Sequence, residues 1–106
     1  MSDLKTEAII TETMNTLDEM LRYLPSFSDD FFATASSITN PGLLADFIAS
    51  SVFVRFQDKA EVLEMFDPMK RAEKAIILMR SEMKLLQAEL EIQRKVKKAI
   101  DDNQRD

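Results

Sequence analysis

PMKRAEKAIILMRSEMKLLQAELEIQRKVKKAIDDNQRD, residues Pro68 to Asp106, holds no proline or glycine after its first residue, and its apolar side chains recur at Met69, Ala72, Ile76, Met79, Met83, Leu86 and Leu90. Steps of alternating three and four residues keep one stripe on one side of an α-helix, so the stretch reads as a single long helix of more than about 50 Å. A second stripe, through Ala75, Leu78, Leu85, Ile92, Val96 and Ala99, runs beside the first. Two adjacent stripes imply packing on more than one side early in the helix and projection from the body later. The residues before Pro68 are too few to cover it along its whole length. It reaches Asn103, Gln104, Arg105 and Asp106 with no glycine cap and no closing hydrophobic contact, so the chain reads as a piece of a larger protein.

Working back from Pro68, the remaining segments also read as helices. Ile10, Met14, Leu17, Leu21 and Leu24 repeat at four, three, four and three, which predicts a first helix from about Leu4 to Tyr23, ending before Pro25. Ser28 is placed to cap a second, shorter helix, with Asp29 and Asp30 in its first turn as partners of the helix dipole and Phe31, Phe32, Ala35 and Ile38 on its buried side. Asn40 followed by Pro41 starts a third helix that buries Leu44, Phe47 and Ile48 and ends near Ser50 or Ser51. Val52 to Phe56 is β-branched and aromatic and predicts a short extended connection. Asp58 and Glu61 then resemble a capping box opening a fourth helix through Val62, Leu63 and Phe66. The expected fold is all-α: an antiparallel bundle of about five helices, with residues 1–67 as short helices and residues 68–106 as the long one.

At 106 residues the chain is one domain, large enough to bury a core without metal or disulfide support. It has no cysteine and no histidine, which removes cysteine nucleophiles, imidazole bases and the usual zinc sites. A catalytic or metal role for Asp29 and Asp30 would lack a third ligand. The absence of cysteine fits a reducing cytosol. No apolar run approaches the length needed to span a bilayer, so a soluble chain with no membrane partner is expected. The net charge of −5 hides a division: residues 1–67 carry four basic and twelve acidic side chains, and residues 68–106 ten basic and seven acidic. Arg94, Lys95, Lys97 and Lys98 form a local basic patch, offset by Glu91, Asp101 and Asp102. A solvated helix face accounts for it; nucleic-acid contact is the sharper alternative, although phosphate binding wants a wider basic field.

Three segments, in order, resemble the N-terminal domain of the Lon family of ATP-dependent proteases: PGLLADFIAS at Pro41–Ser50, DKAEVLEMFDPMKRA at Asp58–Ala72, and LEIQRKVKKAIDDNQRD at Leu90–Asp106. The first is similar to that family's Pro-x-x-Leu-Ala-Asp-x-Ile-Ala pattern. The second resembles its Lys-x-x-Val-Leu-Glu turn into an Asp-x-x-x-Arg helix start, and the third its Lys-Val-Lys-rich stretch. The likeness covers roughly Asn40 to Asp106, with Leu4 to Ile38 matching in helical pattern only. Ala72 departs from the leucine common after the arginine, and Val52, Phe53 and Val54 replace a more proline-containing connection. The resemblance implies the helical lobe of a Lon N-terminal domain, ending inside the helix that leads toward the ATPase ring. Met1, Ser2 and Asp3 would then be an artificial start.

What the resemblance implies for function is substrate recognition and assembly. The full protein would hydrolyse ATP, with Mg, to unfold damaged or regulatory proteins and would cut them with a serine nucleophile in a hexameric chamber. No Gly-x-x-x-x-Gly-Lys-Ser/Thr loop occurs here, so no cofactor is expected on this chain, and the serine–lysine dyad and the preceding β-rich lobe lie elsewhere. The chain itself is expected to do no chemistry. Contact with unfolded protein needs exposed apolar surface, and the candidates are Phe53, Phe56, Met65 and Phe66. Phe53 and Phe56 fall in a connection whose periodicity assigns them to no buried face, so they are the better candidates for exposure. The competing reading is a free-standing helical interaction module that associates through the long helix. Gln93 and Lys97 interrupt the stripe after Leu90 and weigh against a full-length coiled coil.

Overall fold

The computed structural model describes residues 3–53 and 55–104, Phe56 by its backbone alone. It contains five helices: α1 Leu4–Leu21, α2 Asp29–Ser36, α3 Pro41–Ser51, α4 Phe56–Leu63 and α5 Pro68–Gln104. Among the described residues there is no strand. The all-α fold and the long terminal helix are those expected.

Short polar side chains fix most of the helix starts by accepting hydrogen bonds from first-turn amides that have no partner within the helix. Asp3 accepts from the Thr6 N–H at 2.7 Å, Ser28 from the Phe31 N–H at 3.4 Å, and Asn40 from the Leu43 N–H at 3.1 Å with Pro41 in the first turn. Asp29 and Asp30 occupy the first turn of α2, where the helix dipole favours their charge. Asp67 receives the Met69 N–H at 2.9 Å ahead of α5.

The start of α4 departs from expectation. This helix begins at Phe56 behind Arg55, which makes no side-chain cap bond, so Asp58 sits inside the first turn and is not its cap. The connection from α3 is correspondingly shorter, because Val52 closes α3 with right-handed helical angles. The β-preference of Val52 and Phe53 yields to burial, since both side chains enter the core.

The core lies where α1, α3 and α5 meet. Leu17 and Met20 of α1, Leu44, Ala45, Ile48 and Ala49 of α3, and Ala75, Met79 and Met83 of α5 are buried together, closed by Ala35 of α2 and Val62 of α4. The alanines at these contacts leave room for close helix approach, and each large buried side chain contributes about 2 to 3 kcal/mol. Thr13 and Thr16 are buried as well, yet their hydroxyls donate to the carbonyls of Ile9 and Glu12 at 2.6 and 2.8 Å. Burial therefore leaves neither hydroxyl unpaired.

Cross-links between α1 and α5 give their direction. Arg80 Nη2 donates to Glu12 at 2.9 Å and to Thr16 at 3.4 Å, Arg80 Nη1 lies 3.8 Å from Glu19, and seven residues on, Gln87 Nε2 donates to the Tyr23 hydroxyl at 2.7 Å. The numbering advances together on both helices, so α1 and α5 run parallel, a departure from the antiparallel packing expected, because α2, α3 and α4 form a crossover between them. The 18 residues of α1 cover about 27 Å at 1.5 Å per residue, whereas the 37 residues of α5 cover about 55 Å. From Gln87 to Gln104 every residue of α5 is exposed. The distal half projects, as its pattern implied, and the molecule measures 67 × 26 × 20 Å.

Candidate substrate-contact surface

Two of the polar residues that carry the family resemblance, far apart in sequence, meet at one corner of the bundle. Arg71, in the first turn of α5, points back across the α4–α5 turn and donates from Nε to the Met65 carbonyl at 2.9 Å. Its Nη1 reaches the carboxylate of Asp46, on α3, at 3.1 and 3.3 Å. Gly42, the chain's only glycine, lets the backbone of α3 lie close below: a Cβ there would stand 3.1 Å from Pro68 Cβ and 3.2 Å from Arg71 Nη1. The Met65 N–H bonds to the Val62 carbonyl, and the Arg71 N–H to the Asp67 carbonyl. Lys74 pairs with Glu61 at 3.2 Å and ties α4 to α5 one turn further on.

This tied turn displays Phe66, which is 98% exposed, beside Leu63 at 50% and a half-buried Met65. Leaving a phenylalanine in water forgoes about 2 to 3 kcal/mol that burial would contribute, so a large apolar side chain held outward is a feature with a cost. Phe53, by contrast, is 4% exposed and belongs to the core cluster. The expectation of exposure there is overturned: lying in a connection does not keep a side chain out of the core when that connection crosses the end of the bundle. The Phe56 side chain lies outside the described residues. Leu63 was not among the contact candidates of the sequence, which carried the fourth helix through Val62, Leu63 and Phe66, whereas α4 ends at Leu63 and leaves Phe66 in the turn. The Asp46–Arg71 pair went unnoticed too, although both are family-pattern positions and that was the available signal.

The basic residues Arg94, Lys95, Lys97 and Lys98 are all exposed on the projecting half of α5. Lys95 pairs with Glu91 at 3.5 Å. At about 100° per residue Arg94, Lys97 and Lys98 lie on the side of the helix opposite Ile92 and Val96, which are also exposed, and Lys95 lies on the flank next to Ile92. They form a mixed-charge face, with Asp101 and Asp102 one turn away. Where α5 leaves the bundle, a shallow groove of about 510 Å³ is lined by Asn15, Asp18, Glu19, Arg22, Tyr23, Met83 and Gln87. Among the described residues, no group of three or more acidic side chains could hold a metal ion, and no helix is long and apolar enough to cross a membrane.

Comparison with known proteins gives this corner a context. The family model described as the ATP-dependent protease La (LON) substrate-binding domain matches residues 1–81, which include α1 to α4 and α5 as far as Ser81. Lon protease from Syntrophus aciditrophicus is 33% identical over 106 residues, 100% of this chain and 13% of that protein. Lon protease from Dictyoglomus thermophilum is 30% identical over 100 residues, 94% of this chain and 13% of that protein. Lon protease 1 from Bacillus subtilis is 27% identical over 104 residues, 98% of this chain and 13% of that protein. The chain thus spans about 13% of the length of these curated relatives. With the model matching most of its length and helices, the chain belongs to the LON substrate-binding domain family.

Proposed function

We propose that this chain is the substrate-recognition lobe of an ATP-dependent Lon-type protease, and that it touches unfolded polypeptide through the apolar tip formed by Leu63 and Phe66. The observation that carries this reading is Phe66 itself, 98% exposed on a turn whose neighbours are tied down, in a chain of a substrate-binding family. An unfolded chain offers apolar side chains in water, and burying them against a phenylalanine removes apolar surface from both partners. Met65 lies half-buried beneath the tip and adds an adaptable contact. Hydrolysis of ATP with Mg, cleavage by a serine nucleophile and assembly into a hexamer belong, in this proposal, to parts of the protein outside these 106 residues. The cytoplasm is the proposed compartment.

A second reading rests on Leu85, Ile92, Val96 and Ile100, which remain exposed along the outer half of α5. In that reading the chain works as a spacing and association element through its long helix. An NMR titration of the isotopically labelled chain with a permanently unfolded polypeptide separates the two. Shifts centred on Leu63, Met65 and Phe66 support recognition by this lobe. An unchanged spectrum at high polypeptide concentration would sink it and leave the spacer role.

A further inference from the structure

We propose that Arg71 is the positioning residue of the Phe66 tip, fixing the backbone turn that carries the phenylalanine outward; this rests on reading Phe66 as a substrate contact. At 98% exposure Phe66 has almost no packing of its own to order it. Where its ring stands is therefore set by the backbone of the turn, which aims the Cα–Cβ bond. Arg71 ties that backbone at the preceding residue: the carbonyl of Met65, whose peptide bond leads into Phe66, accepts the Arg71 Nε–H at 2.9 Å. Arg71 in turn is anchored to Asp46, 25 residues away on α3, through Nη1 at 3.1 Å. The guanidinium thus connects the turn to the rigid body of the bundle. Its side chain is 20% exposed and that of Asp46 32%, so the link is partly shielded from water.

Arginine suits this task for a reason lysine cannot meet. The planar fork directs Nε and Nη1 to two acceptors at once in fixed directions, whereas an ammonium on a flexible stem carries no such geometry. Asp67, which binds the Met69 N–H on the other side of Phe66, fixes the exit of the turn, so both flanks of the phenylalanine are tied. A turn whose backbone is ordered before it meets its partner loses less freedom on binding. The tip would gain affinity from being held still, and it would lose that affinity when Arg71 is shortened even though Phe66 remains.

The chain contains no tryptophan, so Phe66→Trp introduces a single fluorophore at the tip. The test reads steady-state anisotropy of that tryptophan in the free protein, then its titration with a reduced, carboxymethylated polypeptide that cannot fold, with and without Arg71→Lys. The expected result is lower anisotropy and an affinity weakened about three- to fivefold by Arg71→Lys, at matched helical circular dichroism. A purely structural role would lower the melting temperature but leave the anisotropy below the transition unchanged. Anisotropy and affinity both equal to the parent's would overturn the proposal. Asp46→Asn, which keeps an acceptor for Nη1 but removes its charge, serves if Arg71→Lys does not fold, and it should shift both readouts the same way by less. Phe66→Ala separates the two layers. If a polypeptide carrying an extrinsic fluorophore binds Phe66→Ala as tightly as the parent, the substrate-contact reading fails, while the anisotropy of the Phe66→Trp protein still decides whether Arg71 orders the turn.

Discussion

Phe53 and Phe66 lie in the two connections that flank α4, and their surroundings give them opposite roles. Phe53→Ala should destabilise the chain by about 3 to 5 kcal/mol in chemical denaturation, because it empties a core site. Phe66→Ala should leave stability within about 0.5 kcal/mol, because nothing is packed on it. Within α3, Ile48→Ala should cost about 2 to 5 kcal/mol from a fully buried position. Phe47, half-buried and stacked on Phe31 at 5.0 Å, should fall near the low end of that range. Asp3 supplies a pH effect. The Thr6 backbone N–H bonded to its carboxylate lowers its pKa below the ordinary value. Its contribution to α1 is therefore present above the ordinary carboxylate value and is lost as pH falls through the lower folded one. The Thr6 amide shift should titrate with that low midpoint in NMR; a midpoint at the ordinary value would mean that the cap does not form in solution. Residue types alone could nominate Asp3, Ser28 and Asn40 as caps, since capping is local. They could not separate Phe53 from Phe66, because burial depends on what lies across the bundle.

α5 is one helix with two physical regimes. Its proximal half is held by α1, α3 and α4, whereas among the described residues the half beyond Gln87 shows its own backbone bonds, the Glu91–Lys95 pair and continuity with the ordered turns below. Exposed helices of this length are marginal in water, so continuity matters more than propensity. Amide exchange at Ile92 to Ile100 should be at least about a hundredfold faster than at Ala72 to Met83, and equal protection would indicate a partner covering the distal half. Arg80→Ala should cost no more than about 1 kcal/mol in a melting comparison, since its pairs with Glu12 and Glu19 are half-exposed. The two apolar stripes made the division between these halves visible before any coordinates. The point of departure is set by Tyr23 and Gln87, and it follows from the length of α1.

At the scale of the molecule, the parallel run of α1 and α5 makes the three short helices a crossover between them. In sedimentation at micromolar concentration the chain should behave as a monomer or a weak self-associator. The bundle-facing stripe of α5 ends at Leu90, interrupted by Gln93 and Lys97, and the outer stripe is narrow. A tight dimer would show that Leu85, Ile92, Val96 and Ile100 suffice as a seam.

Caps, proline positions and apolar periodicity act over one or two turns, so the order of residues is enough to specify the helical class, most of the helix starts and the projection of α5. It also carried the family resemblance, through Asp46, Asp67 and Arg71 in their short patterns. Only the tertiary structure decided that Asp46 and Arg71 pair, that Gly42 makes room beneath them, that Phe53 is buried and that Phe66 is held in water. Each of these depends on segments distant along the chain meeting in space, and no local pattern specifies which neighbours a side chain will find there.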